Sequence, residues 1–275
     1  MPELPEVETV CRQLEKAVVG KKINEVEIRF SGRLNLSVEK FSAEVCGRRI
    51  AAIDRRAKLI MIRLSGGKTL VVHLKMTGKL LLVEPDHEPG KHTHIIFRLS
   101  GRRVLFFDDM RKFGFVRLFD TADVESKVIA PAKLGAEPFG PDFTVKGFSA
   151  CLARHGRSAI KALLLSQKCV VGVGNIYSDE TLWRAQIRPD RLAGDLRPAE
   201  VKRLHVAIKS ILKKAIEMGG SSVGDYRNAE NQRGSYARLL KAYGRAGQPC
   251  QRCRKPIKKT RLAGRGTHYC PTCQK

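Results

Sequence analysis

Cys250-Gln251-Arg252-Cys253 and, sixteen residues further on, Cys270-Pro271-Thr272-Cys273 decide how the C-terminal end of this chain folds. Two Cys-x2-Cys knuckles at that separation have the spacing of a four-thiolate zinc ribbon. Each knuckle puts two sulfurs on one side of a tight turn, and two knuckles complete a tetrahedron. Four protein ligands leave the metal no open position, so a single Zn2+ on Cys250, Cys253, Cys270 and Cys273 is structural rather than hydrolytic. The tail from Gly244 is rich in Gly, Pro and Cys and too short for a core of its own, so the metal is its staple. Between the knuckles lie Lys255, Lys258, Lys259, Arg261 and Arg265, a basic hairpin suited to phosphates. Cys11, Cys46, Cys151 and Cys169 stand alone and read as small buried hydrophobes.

The charge extends this theme to the whole chain. Among 275 residues, 52 Lys and Arg against 27 Asp and Glu give a net charge of +25, the balance of a protein that meets a polyanion. Nucleic acid is the leading candidate and an acidic membrane surface the second. From Lys241 to the end there are ten Lys or Arg and no acid. The start is acidic and polar with no apolar signal region, and no apolar run approaches the ~20 residues of a membrane span. The expectation is a soluble protein of the cytosol, with its thiols reduced.

Upstream of the tail the texture changes twice. Leu4, Val7, Val10, Cys11, Leu14, Ala17 and Val18 follow helical spacing over 3–18, and Gly20 supplies a stop. Short runs follow at Ile23–Phe30, Leu59–Leu64, Thr69–Leu74, Leu80–Val83, His94–Leu99 and Val104–Phe107, which read as strands. Ser65-Gly66-Gly67 and Ser100-Gly101-Arg102 are turns, predicting two hairpins. This half reads as a mainly antiparallel sandwich or barrel carrying an N-terminal helix. A stretch over about 121–147, with Pro131, Gly135, Pro138, Gly140 and Pro141, reads as a linker. Beyond it the pattern is helical: Ile160, Leu163, Leu164 and Gln167 share a face, Ile176–Ala185 follows, and a helix from Pro198 to Glu217 is closed by Gly219-Gly220.

Three motifs carry chemistry. Met1-Pro2-Glu3-Leu4-Pro5-Glu6 places a proline small enough for the methionine to be trimmed, which exposes a secondary amine beside a carboxylic acid. Such an amine titrates near pH ~8, so part of it is neutral and nucleophilic at neutral pH, the equipment for imine chemistry on a sugar aldehyde carbon. A frayed terminus is the bland alternative. Val171-Gly172-Val173-Gly174-Asn175 joins two helical segments; it lacks the third glycine of a dinucleotide fingerprint and the Gly-Lys-Ser/Thr of a phosphate loop. It offers exposed backbone N–H groups at a helix N-terminus with an Asn beside them, a phosphate seat, or else a plain helix–helix turn. His73-Leu74-Lys75-Met76-Thr77-Gly78 and Asp109-Met110-Arg111-Lys112-Phe113-Gly114 present Met76, Arg111 and Phe113, the side-chain types that fill the gap when a base leaves its stack; each alone reads as packing.

Together and in this order, these pieces resemble the bacterial formamidopyrimidine-DNA glycosylases, which repair oxidised purines. The likeness is collinear from Met1 to Lys275. It runs through Pro-Glu-Leu-Pro-Glu-Val-Glu-Thr at 2–9, Arg55-Arg56-Ala57-Lys58, His73–Gly78, Lys91-His92-Thr93-His94, Val171–Tyr177, Tyr243-Gly244-Arg245 and Arg265-Gly266-Thr267-His268-Tyr269-Cys270. It implies an α+β chain: an N-terminal β-sandwich with its helix over 1–130, a helix–two-turns–helix domain over 131–243, and a zinc finger over 244–275, with DNA between. It implies Pro2 as the nucleophile at C1′, Glu3 as the acid that opens the sugar, Lys58 assisting β-elimination and Arg265 assisting δ-elimination. Asn175, His73 and Tyr243 would hold backbone phosphates, His92 and Arg157 would make further DNA contacts, and Met76, Arg111 and Phe113 would fill the vacated space. Residues 219–236 match the loop that closes over the extruded base. No organic cofactor is required, the partner is damaged double-stranded DNA, and nothing suggests other than a monomer.

Some positions depart from the family pattern. The usual Asp-Pro-Arg-Arg-Phe-Gly has lost its proline and second arginine in the Asp108–Gly114 neighbourhood, Lys75 stands where a small residue or Arg is usual, and Arg254 replaces the glycine after the second zinc cysteine. Two other readings compete. An endonuclease VIII-like enzyme for oxidised pyrimidines typically starts Pro-Glu-Gly-Pro-Glu, whereas position 4 is Leu. A non-catalytic zinc-ribbon nucleic-acid-binding protein leaves Pro2, Glu3 and Lys58 without a role.

Overall fold

The computed structural model describes residues 1–275, which form two compact units: Met1–Ala132 with Met218–Ser235, and Lys133–Glu217 with Tyr236–Lys275. No helix is long and apolar enough to cross a membrane.

The first unit is a sandwich of two antiparallel four-stranded sheets. One contains β1 (Ile23–Ile28), β6 (Thr93–Leu99), β7 (Arg103–Asp109) and β5 (Gly78–Val83) in that spatial order. The other contains β2 (Ile50–Arg56), β3 (Leu59–Leu64), β4 (Lys68–His73) and β8 (Phe115–Asp120). Both expected hairpins are present, β3–β4 across Ser65–Gly67 and β6–β7 across Ser100–Arg102. Alternate residues such as Ile60, Ile62, Leu70, Val72, Phe97, Leu105 and Phe107 enter one core, joined by Val7, Val10 and Leu14 from α1 (Leu4–Val18). Full burial of each such side chain contributes about 1.5–3 kcal/mol. A short helix α2 (Val38–Val45), capped by the Ser37 side chain on the Lys40 N–H, buries Phe41 and Val45 in the same core. The stretch from 121 is more than a linker: three short helical turns over Thr121–Ala132 bring Val124 and Ile129 against Leu59 and Val71.

The second unit holds α3 (Val145–Arg154), α4 (Ile160–Leu165), α5 (Asn175–Ala185) and α6 (Pro198–Glu217), followed by the hairpin β9 (Lys258–Leu262)–β10 (Arg265–Tyr269). Gln167 does not share the α4 face: the helix ends at Leu165 and Gln167 turns left-handed at φ 63°. The α6 bounds match the expectation from Pro198 and the Gly pair.

Candidate active site and nucleic-acid interface

In the first unit the N-terminus is fixed from below. Glu3 caps α1 and is 1% exposed, and its N–H donates to Glu6 Oε2 at 2.7 Å in a reciprocal capping box. Pro2 is buried and Met1 is 42% exposed. The second Glu6 oxygen accepts the Ser221 N–H at 2.7 Å, and the Tyr226 hydroxyl donates to the Glu6 carbonyl at 3.2 Å. The 218–235 segment is thereby seated on α1. It is further tied by the Ala229 N–H to Gln13 and by the Leu82 N–H to the Ala229 carbonyl. Gly220 turns at φ +83°, and a Cβ there would come within 2.8 Å of Glu6 Oε1, so the approach needs glycine. The sequence offered one signal for Glu6, its three-residue spacing from Glu3.

Lys58 is the second residue of the two-residue turn joining β2 to β3, after Ala57 at φ 53°. Its neighbour Leu59 pairs with His73 at the end of β4, which brings the Lys58 and His73 motifs side by side. Burial first, then the Lys75 and Lys58 cations, push the His73 imidazole down to about 3. Its Nδ1 accepts the Lys75 N–H at 2.9 Å, so the neutral ring carries its hydrogen on Nε2 and presents a donor.

Asp109, fully buried, organises the next two loops. Its carboxylate accepts the Gly114 N–H at 2.6 Å, the Arg111 N–H at 3.2 Å and the Thr77 hydroxyl, while the Arg111 N–H also reaches Thr77 Oγ1 at 3.0 Å. The His73–Gly78 turn and the Asp109–Gly114 loop are thus tied together. Arg111 and Phe113 stand exposed at the tip, the guanidinium 4.7 Å from the Phe113 ring centre, and Met76 is half-buried in the His73–Gly78 turn. His92 precedes β6, and its carbonyl accepts the Asp109 N–H at 3.0 Å. Sequence reasoning passed over Asp109 as an organiser because its donors lie up to 32 residues away.

In the second unit α5 is the axis. Asn175 is its first residue, half-buried behind Gly174. The expected row of exposed amides before it is overturned. Val171–Gly174 is buried, the Val171 N–H donates to the Ala136 carbonyl, and the Gly172 N–H donates to Gln167 Oε1 at 2.6 Å. One turn along α5, Asp179 forms a fully buried ion pair with Lys161 at 2.6 Å and accepts the His268 N–H at 2.8 Å, while Lys161 Nζ donates to the Gly266 carbonyl at 3.0 Å. These contacts fix the β9–β10 hairpin, whose turn residues Ala263 and Gly264 have φ 48° and 72°, and which leaves Arg265 exposed at the start of β10. Glu180 accepts the N–H groups of Lys241, Ala242 and Tyr243 at 2.8–3.1 Å, which orients Tyr243 against the His268 ring. Burial pushes the Glu180 carboxyl above the usual carboxylate range, and those three amides offset the rise only in part. One helix therefore sets Asn175, Tyr243 and Arg265. Arg157 stands apart, exposed in the turn after α3.

The four tail cysteines meet as the spacing required, their sulfurs within 4.8 Å of one another. The Cys253–Cys270 and Cys250–Cys273 sulfur pairs are 3.4 and 4.0 Å apart, bracketing the ~3.8 Å edge of a tetrahedron with Zn–S bonds of about 2.3 Å. The Arg252 and Cys273 amides donate to Cys250 and Cys270 Sγ. Although burial opposes it, the Cys253 and Arg252 amides hold the Cys250 thiol down to about 6, ready to ligate as thiolate. The donor set fits one structural zinc. Cys151 and Cys169, expected as separate buried hydrophobes, are instead joined in a disulfide with Cα atoms 5.6 Å apart; an α3 cysteine and one 18 positions later converge only through packing.

Comparison with known proteins covers the same ground. Profiles of the formamidopyrimidine-DNA glycosylase N-terminal domain, of its H2TH domain, and of the zinc finger found in FPG and IleRS match residues 1–116, 134–227 and 247–275. The chain is 45% identical over 275 residues to a formamidopyrimidine-DNA glycosylase of Streptococcus mutans, with all of both chains covered. It is 39% identical to a variant of the Lactococcus lactis enzyme solved with Fapy-dG-containing DNA, at TM-score 0.94 and full coverage of both chains. A complex of the Lactococcus lactis enzyme with DNA containing an abasic site matches at 39% identity and TM-score 0.94, covering 99% of each chain.

Proposed function

This chain belongs to the formamidopyrimidine-DNA glycosylase family, and from that premise we propose that it flips and excises oxidised purines from duplex DNA and nicks the resulting abasic site by β,δ-elimination. The 8-oxoguanine and formamidopyrimidine lesions are its substrate class. The observation that carries this reading is the fixed N-terminus, where Pro2 adjoins a carboxyl held inside the capping box of α1.

While Met1 remains, the Pro2 nitrogen is an amide and cannot attack; Met1 is exposed enough to be trimmed. The freed amine attacks C1′ of the damaged nucleotide, Glu3 protonates the ring oxygen as the sugar opens, and the base departs. An imine then joins Pro2 to C1′, which makes the C2′ proton acidic, so strand scission needs only a weak base and a stabilised phosphate leaving group. Lys58 supplies the cation at the flanking phosphate for β-elimination and Arg265 for δ-elimination. His73 donates Nε2–H to a backbone phosphate, and Asn175 and Tyr243 hold others, with His92 and Arg157 adding contacts. Met76, Arg111 and Phe113 occupy the space of the extruded nucleotide. The zinc on Cys250, Cys253, Cys270 and Cys273 cross-links the finger that presents Arg265 and takes no part in the steps.

The roles divide among a catalytic sandwich over 1–130, a helical DNA-binding domain over 131–243 and a zinc finger over 244–275, with residues 218–235 serving the sandwich. The protein works as a monomer in the bacterial cytosol. Borohydride trapping on a duplex with 8-oxoguanine opposite cytosine, using protein shown to lack Met1, tests the mechanism. The expected result is an adduct mapped to Pro2 by mass spectrometry. An adduct elsewhere, or one formed only with oxidised-pyrimidine DNA, refutes the nucleophile or the substrate class respectively.

A further inference from the structure

Two cysteines that the proposed reaction does not use meet inside the helical unit. Cys151 lies in the last turn of α3 and Cys169 in the segment between α4 and α5, and their sulfurs are bonded. Both are nearly fully buried, at 6% and 5% exposure. His155, one helical turn after Cys151 and half-buried, donates Nδ1–H to the Cys151 carbonyl at 3.1 Å and lies 3.9 Å from Cys151 Sγ. The segment they anchor is the one that delivers Asn175. Its other ties include the Gly135 N–H on the Gln167 carbonyl at 2.8 Å, the Val171 N–H on the Ala136 carbonyl at 3.0 Å, and the Gln167 amide, which brackets Gly172 N and Val173 O. A covalent bond two residues after Gln167 therefore restrains the one stretch of backbone between α4 and the Asn175 end of α5.

We propose that Cys151 and Cys169 are a redox-active thiol pair, a modification site whose oxidation by hydrogen peroxide fixes the Gln167–Asn175 turn in its phosphate-binding geometry. The phosphate role of Asn175 rests on the function proposed above; the thiol chemistry does not. In the reduced protein the Cys151 thiol gives up its proton, and the thiolate attacks one peroxide oxygen. The O–O bond breaks, giving a sulfenic acid on Cys151 and a hydroxide that leaves as water. The Cys169 sulfur then displaces hydroxide from that sulfenic sulfur, forming the S–S bond and a second water. Overall, two thiols and one peroxide give one disulfide and two waters, the sulfurs losing the two electrons that the peroxide gains. The bond closes the 151–169 ring and anchors the first residue of the 169–175 segment, so a larger share of molecules holds Asn175 ready for a phosphate. Burial of both sulfurs, with His155 at the edge, restricts access to small oxidants.

The test uses full-length, zinc-loaded protein treated with hydrogen peroxide and then with dithiothreitol. Thiols are mapped by non-reducing peptide mass spectrometry and zinc release is followed in parallel. Dissociation is timed from a duplex carrying a non-cleavable abasic analogue. The expected result is a Cys151–Cys169 linkage with zinc retained and DNA dissociation slowed roughly two- to tenfold, reversed by dithiothreitol and absent in Cys151→Ala. Free Cys151 and Cys169 after peroxide overturn the redox pair, and a linkage with unchanged dissociation overturns its coupling to the turn. Two zinc ions per reduced chain overturn it in favour of a second metal site on Cys151, His155 and Cys169. Should Cys151→Ala fold poorly, the wild-type protein with and without dithiothreitol decides. Because the mapping involves no DNA, failure of the glycosylase reading leaves it intact.

Discussion

Replacing Lys161 with Met tests how the second unit sets Arg265. Lys161 and Asp179 are both fully buried, 2.6 Å apart, and Lys161 also donates to the Gly266 carbonyl in β10. The Met side chain fills the volume but leaves the Asp179 carboxylate inside the fold without its cation. Breaking a buried pair by removing one partner costs about 3–5 kcal/mol. In a unit of this size that lowers the melting temperature by about 10–15 °C. The hairpin loses one of its ties to α4, so δ-elimination should suffer more than β-elimination. Differential scanning calorimetry gives the first quantity. The ratio of 3′-phosphate to 3′-unsaturated-aldehyde products on an abasic duplex gives the second. Adding Asp179→Leu should recover part of the stability, not all of it, because the His268 N–H then loses its acceptor. A loss under about 1 kcal/mol, the range of exposed pairs, together with an unchanged product ratio, would refute the reasoning.

Glu6→Gln keeps one acceptor oxygen where two N–H groups, from Glu3 and Ser221, now meet a carboxylate; about 2–3 kcal/mol should be lost, with faster hydrogen exchange at Ser221, and unchanged exchange there would count against the anchor. Arg254→Gly relieves a left-handed φ of 64° in the first zinc knuckle and should raise stability by about 1 kcal/mol with slower zinc loss to a chelator; faster loss would show that the arginine itself contributes. His73 stays neutral in the folded chain while the unfolded one protonates below pH ~6.5. Its contribution is therefore constant above that pH and is lost as pH falls toward about 3, by up to ~1.4 kcal/mol per pH unit. Urea titrations of wild type and His73→Gln between pH 4 and 7 should show a shallower slope for the variant, and parallel slopes would refute the buried neutral ring.

Three of the positions that depart from the family pattern share a conformation. Lys75, Lys112 and Arg254 have φ of 50°, 54° and 64°. In each the backbone adopts the left-handed turn with a long cationic residue, at a cost near 1 kcal/mol. The cations are placed differently: Lys112 Nζ lies 4.5 Å from the Phe30 ring centre and Lys75 Nζ 5.9 Å from that of Phe115, while Arg254 is exposed.

Much of the fold was legible because it is written in local spacing. The four zinc cysteines, the apolar period of α1, the Pro198 start of α6 and the glycine turns of two hairpins depend on neighbours within a few residues, where sequence distance and spatial distance agree. The two strands that periodicity missed, β2 and β8, are the edges of one sheet. Edge strands are covered on one side only, so Ile50–Arg56 and Phe115–Asp120 carry arginines and aspartates that break an apolar run. What tertiary structure alone decided is where the buried charges go. Glu6 receives Ser221 across 215 positions, Glu180 the 241–243 amides across about 60, and Asp179 the His268 N–H across 89, while Cys151 finds Cys169. A carboxylate in a sequence looks the same whether water or backbone amides will solvate it. Only the packed chain removes the water, and then the partner it supplies determines whether that charge anchors the site.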